Sequence, residues 1–238
     1  LYHALRGDSP AVPGFLEDYA FMADGLLELY QATQELESLR EAMALTSQMI
    51  DLFWDEENGA FFQTARDAEA MVVRMKPYFD GAMPSGNSVA ASVLVRVARL
   101  TGDTLLLDHA GRLFGAFAGM VRSAPAEFPE LLSAYMMYQA DSYLSIVVGH
   151  EDAKGTRELA RVVDRTYVPG NTLVVLPVDG AANEVLSLVP SARDYVPMGE
   201  HAAVYVCSGT MCSKPAVTAE EVRQLLESRT TVGGGSTY

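Results

Sequence analysis

Two segments of the chain gather acids, amides and hydroxyls where apolar helices should begin. The first, Pro13-Gly14-Phe15-Leu16-Glu17-Asp18-Tyr19-Ala20-Phe21, sets two acids side by side. The second, Asp80-Gly81-Ala82-Met83-Pro84-Ser85-Gly86-Asn87-Ser88, sets one acid ahead of a run of short polar side chains. Paired carboxylates at a suitable separation carry out the acid and base steps of glycoside chemistry. Adjacent residues on a helix diverge by about 100°, so only one of Glu17 and Asp18 can point straight into a cleft. The catalytic candidates are therefore Asp80 with Glu17 or Asp18. The plainer reading of the same acids is capping, since carboxylates in a first helical turn satisfy free N–H groups and complement the helix dipole. Ser85, Asn87 and Ser88, with Gly86 permitting close approach, can hold a polyol or phosphate on backbone N–H groups. Ser85 reads equally well as an N-cap. Tyr19 and Tyr78 are the rings that can stack on a sugar face, although core filling is the stronger reading for Tyr19.

The remaining reactive residues are less organised. His3, His109, His150 and His201 are scattered, and none is expected at either helix mouth. That weighs against epimerisation, which needs a base and an acid astride one carbon. Cys207 and Cys212 are the only cysteines and lie five apart after an apolar run. They read either as a disulfide across a turn or as thiols near the surface. They lack the Cys-x-x-Cys spacing and a flanking base, with Lys214 the only nearby cation, so a structural role is favoured over thiol exchange. Two thiols are too few for a closed zinc site, and no metal is expected. No Gly-x-Gly-x-x-Gly or Walker sequence follows Gly149, so no nucleotide cofactor is expected either.

The whole chain sets the bounds. Its 238 residues suffice for one large or two modest domains, with 49% hydrophobic and 20% charged residues in the range of globular proteins. A net charge of −14 argues against nucleic acid or an anionic membrane surface as the main partner. No apolar run approaches the roughly 18–20 residues that a membrane helix requires, and a soluble, cytoplasmic protein is expected. The start at Leu1, followed by a polar segment through Pro10, reads as the middle of a longer protein.

Elements that would position the two mouths follow from periodicity. Residues 15–33 are apolar on nearly every side, as expected of a central helix, whereas 36–54 show one apolar stripe and one wet face. The same inner-then-outer order returns at 85–101, stopped by Gly102, and at 104–121, with Asp103 as N-cap. Between the pairs, Trp54 and Asp55 join a helix to a short hairpin running to Phe62, and a further helix is expected at about 126–140. Beyond residue 141 the pattern becomes strand at 143–149, helix at 152–167, strand at 172–177, strand at 202–207 and helix from Thr218, with Glu221 completing a capping box. Strand, helix, strand at this length predicts a parallel crossover. The expected architecture is mainly α: a partial α/α toroid of helix pairs over 1–141, a small α/β unit with a mostly parallel sheet over 142–229, and a flexible tail over 230–238.

The order of Pro13-Gly14-Phe15-Leu16-Glu17-Asp18-Tyr19-Ala20, Leu52-Phe53-Trp54-Asp55, Asp80 through Ser88, and Ala203-Val204-Tyr205-Val206-Cys207 through Cys212-Ser213 resembles the C-terminal part of the YyaL-type, thioredoxin-domain-containing family with its spermatogenesis-associated relatives. The resemblance runs to about residue 227. It implies a large protein in which an N-terminal thioredoxin-like domain precedes a six-hairpin toroid similar to those of glycosidases and sugar epimerases. The thioredoxin-like domain and the remaining toroid helices would then be this chain's missing partners. A sugar-like ligand bound or processed at the mouths is the first functional expectation. The alternative is a non-catalytic scaffold serving a redox-linked protein.

Overall fold

A computed structural model of the chain describes residues 1–7, 9–68, 73–150, 153–209 and 211–230. Among these, helix dominates and a small mixed sheet accompanies it. The chain divides into two compact units: Leu1–Tyr30, Glu37–Ala98 and Asp103–Gln139 form the first, and Gln31–Leu36, Arg99–Gly102 and the chain from Ala140 form the second.

The first unit opens with a hairpin of β1 (Tyr2–Arg6) and β2 (Ser9–Pro13), paired antiparallel from Tyr2↔Pro13 to Arg6↔Ser9. Helices α1 (Leu16–Thr33), α2 (Leu36–Phe53), α3 (Gly86–Thr101), α4 (Thr104–Ser123) and α5 (Pro129–Gln139) follow. In α2 the buried Leu39, Ala42, Leu45, Met49 and Phe53 recur every three or four residues, the single stripe that its sequence predicts. The central helix is α3. Val89 through Val95 are buried without interruption, followed by Val97, Ala98 and Leu100. Gly102, in the left-handed region at φ 78°, then ends it, because a side chain there would be strained. Asp103 caps α4 by accepting the Leu105 N–H at 2.9 Å.

α1 departs from the expectation of a helix buried all round. Its Leu16, Tyr19, Ala20, Ala23, Leu27 and Tyr30 are buried, but Phe21, Met22 and Leu29 are exposed. The apolar count is high on every face, yet neighbours cover only one.

The second unit holds β3 (Tyr143–Gly149), α6 (Lys154–Arg165), β4 (Asn171–Pro177), α7 (Ala182–Leu188), β5 (Ala203–Ser208), β6 (Met211–Cys212) and α8 (Ala219–Thr230). Strand order is β4-β3-β5-β6. β3 and β4 are parallel across α6, as the crossover pattern requires, but β5 runs antiparallel to β3, with Leu144 opposite Cys207. β6 is antiparallel to β5, so the sheet is mixed and not mostly parallel. A fully buried strand is a continuous apolar run in either direction, which is why its sequence is silent on orientation. Val147, Leu159, Val163, Leu173, Val204, Val206, Val222 and Leu226 form the core between sheet and helices. Edge strand β4 is shielded by Gln31 and Gln34, whose amide oxygens accept the N–H groups of Leu173 and Val175 at 2.9 Å each. Thr218 and Glu221 form the expected capping box: Glu221 Oε2 accepts the Thr218 N–H at 3.0 Å, and Thr218 Oγ1 accepts the Glu221 N–H at 3.2 Å. Asp152 and most of the expected tail, 231–238, lie outside the described residues.

Candidate functional site

The mouths of α1 and α3 meet in the first unit. Gly86, the first residue of α3, packs so closely on α1 that a Cβ there would stand 3.0 Å from Leu16 Cγ and 3.2 Å from the Glu17 backbone nitrogen. Glycine at this position lets two helix N-termini touch, placing their dipole-positive ends together.

At the α1 mouth, Asp18 Oδ2 accepts the Phe15 N–H at 2.7 Å, reaching back over the first turn as a capping acid does. Both oxygens of Asp18 also face His3 Nδ1, at 3.0 and 3.1 Å. A histidine thus does sit at a helix mouth, contrary to the expectation from sequence. The β1–β2 hairpin brings it there, and its ring packs edge-on against Phe15 at 5.1 Å. Glu17 accepts a long bond of 3.4 Å from the Gln63 amide. Tyr19 is buried against Phe53, with ring centroids 5.2 Å apart. Burial, then the charges of Asp67 and Asp18, push its phenol pKa up.

At the α3 mouth, buried Asp80 accepts three backbone N–H groups: Ser85 at 2.8 Å, Glu130 at 3.0 Å and Leu131 at 3.2 Å. One carboxylate therefore closes the first turns of both α3 and α5. Ser85 is the N-cap of α3, its hydroxyl accepting the Ser88 N–H at 3.1 Å and lying 2.9 Å from the Ser88 hydroxyl. Asn87, fully buried, accepts the Phe61 N–H at 2.8 Å and donates to the carbonyls of Phe61 and Pro77 at 2.9 and 2.8 Å. Asp80 and Ser85 thus exhibit capping geometry, while Asn87 ties the Phe61 and Pro77 backbone to the start of α3. Tyr78 stacks on Phe128 at 5.7 Å and retains an exposed edge.

A second set of polar residues, without a local sequence signature, continues from the mouths along the same helices. On α1, Glu17, Phe21, Asp24 and Glu28 fall on one face by their spacing of four, three and four. On α3, Ser85, Ser88, Ser92 and Arg96 do the same. Arg96 joins the two stripes, with Nη1 2.6 Å from Asp24 Oδ1 and Nη2 2.8 Å from Glu28 Oε1. Ser92 donates to Glu130 Oε1 on α5 at 3.2 Å. Burial raises the carboxyl pKa of Asp24 against the lowering effect of Arg96. Burial likewise raises that of Glu130, aided by the nearby charges of Asp24 and Asp80. Raised carboxyl pKa values in a charged cluster are a mark of functional sites. Asp24 and Glu28 follow Glu17 at helical spacing, but nothing local in the sequence joins them to Arg96 or Glu130.

In the second unit, Cys207 and Cys212 stand opposite one another on β5 and β6 and form a disulfide. The Tyr195 hydroxyl lies 2.8 Å from Cys212 Sγ and 3.1 Å from Cys207 Sγ. Among the described residues there is no grouping of three His, Cys, Asp or Glu side chains that could hold a metal, and no helix long and apolar enough to cross a membrane.

No family model matches the chain. It is similar to spermatogenesis-associated protein 20 of Homo sapiens and of Rattus norvegicus, each 35% identical over 220 residues that cover 92% of this chain and 28% of the relative. An uncharacterized protein of Caenorhabditis elegans is 27% identical over 214 residues, 90% of this chain and 28% of that protein. The chain thus spans little more than a quarter of the length of these relatives. It is a homologue of spermatogenesis-associated protein 20, and its extent is consistent with a C-terminal part of that family.

Proposed function

We propose that the face shared by α1, α3 and α5 binds a carbohydrate-like ligand. The observation that carries this reading is the Asp24–Arg96–Glu130 row: acceptors, a forked donor and a carboxyl kept protonated more readily by burial stand on three neighbouring helices. Polyols are recognised by such mixed donors and acceptors beside an aromatic ring. Phe21, exposed between Glu17 and Asp24, offers that ring in place of buried Tyr19. In its protonated form Glu130 donates to a sugar oxygen while Asp24 and Glu28 accept from hydroxyls. For processing beyond binding, Glu17 and the His3–Asp18 pair supply carboxylate and base at the mouth, with Asp80 holding the mouth in shape. The thioredoxin-like domain and toroid closure that the sequence resemblance implies belong to the longer protein in this proposal.

The test is titration of a neutral oligosaccharide panel against the wild-type chain and the Asp24→Asn and Glu130→Ala variants. The reading expects at least tenfold weaker binding in both variants with folding intact. Equal binding in all three would remove the row from recognition.

A scaffold role is the second reading, favoured by the capping geometry of Asp80 and Ser85 and by the bonds of buried Asn87 to the Phe61 and Pro77 backbone. In that case, no panel member binds and the same variants alter stability alone. The Cys207–Cys212 disulfide weighs against a cytoplasmic setting for either reading, since disulfides persist chiefly in oxidising compartments.

A further inference from the structure

In a chain with 31 acidic and 17 basic residues, four of the basic ones lie on one helix of the second unit. Lys154, Arg157, Arg161 and Arg165 on α6 are spaced three, four and four apart, on one face. Thr156, Leu159 and Val163 on another face are buried. Arg161 and Arg165 lie one turn apart and form no ion pair or hydrogen bond among the described residues. Like charges at this spacing repel, so the fold alone gains nothing from the pair.

Both line a cleft of about 610 Å³ between α6 and α8, with Arg223 on the opposite wall and Val162 in its lining. That volume falls in the range of small-molecule sites, about 300–1,000 Å³. Tyr167, just past the end of α6, also lines the cleft and is 83% exposed, with no ring partner among the described residues. Arg223 is held by Glu220 at 3.0 Å. Glu158 and Glu227 line the same cleft and set its charge limit, because a polyanion laid along it would meet both carboxylates.

We propose that this cleft binds a small phosphate monoester with a flat ring body, its phosphate on the Arg161 and Arg165 guanidiniums and its ring on Tyr167. Guanidinium forks match phosphate oxygens in geometry as well as charge, and a tyrosine face accepts a planar ring. The two glutamates restrict the ligand to one phosphate.

Adenosine monophosphate serves as the probe, titrated calorimetrically into the intact 238-residue chain at low ionic strength, with inorganic phosphate and adenosine as separate arms. Saturable one-to-one binding is expected for the monophosphate, at least tenfold tighter than for either part alone. Arg161→Ala and Arg165→Ala should each weaken it at least tenfold, and Tyr167→Ala at least threefold. All three positions are exposed, so circular dichroism should be unchanged. Absence of saturable binding, retention of wild-type affinity in both arginine variants, or phosphate binding as tight as the monophosphate would each overturn the proposal.

Discussion

The Arg96 guanidinium lies 2.6 Å from the carboxylate of Asp24, seventy-two residues earlier in the chain. The contact ties central helix α3 to α1 at mid-length, below the point where Gly86 lets their ends touch. The pair is partly exposed, so its contribution is smaller than that of a fully buried bridge. A double-mutant cycle with Asp24→Asn and Arg96→Met should return a coupling energy on the order of 1 kcal/mol by chemical denaturation. Strict additivity would mean that the two groups do not sense each other.

Glu130 gives a pH signature. Its carboxyl pKa is raised in the folded chain, so the folded state binds its proton more tightly than the unfolded state does. Stability from this group is complete below the unfolded carboxyl pKa and is lost as pH rises through the folded value. Glu130→Gln removes that loss. The variant should therefore melt higher than wild type at pH 7, with the gain shrinking towards pH 4.

Asp55 has the opposite sign. Burial pushes its carboxyl up, but the Lys76 ammonium at 2.7 Å and N–H groups of Asn58 and Glu57 outweigh burial and hold it well below the usual carboxylate range. Its stabilisation is present above the unfolded pKa and falls away as pH drops towards the folded one. Asp55→Asn should lower the melting temperature at pH 7, a cost on the order of 2 kcal/mol from the lost charge-assisted bonds, and the difference from wild type should narrow in acid.

Asp80→Ala leaves three N–H groups at two helix starts without their acceptor. The expected cost is roughly 2–4 kcal/mol in urea unfolding, with Asp80→Asn milder because one oxygen remains. Indifference to both changes would show that the carboxylate does not cap α3 and α5.

Gly86→Ala sets two effects against each other. Alanine gains up to about 1 kcal/mol in helix propensity, but its methyl group meets fully buried Leu16 and the Glu17 nitrogen, neither of which can retreat. Overpacking costs typically 1–3 kcal/mol, so net destabilisation is expected. A higher melting temperature would show that the two mouths are looser than this contact implies.

Features with local causes were legible in the sequence: the stripe of α2, the Asp103 cap, the Thr218–Glu221 box and the α6 crossover each lie within one window of residues. The β1–β2 hairpin was missed because Pro10 and Pro13 read as loop residues, and with it went the meeting of His3 and Asp18. The acids of the mouths were found by type, but helix starts favour acids whether or not a ligand is near, so type could not separate capping from binding. The Arg96 bridge and the Ser92–Glu130 bond join residues far apart in the chain and leave no local pattern.

The most direct test of carbohydrate-like binding is an amide chemical-shift map of the chain titrated with a neutral oligosaccharide. Saturable shifts centred on Asp24, Ser92, Arg96 and Glu130, lost in Glu130→Ala, are the predicted result. A spectrum that stays unmoved at these residues while the rest of the chain remains folded would contradict it.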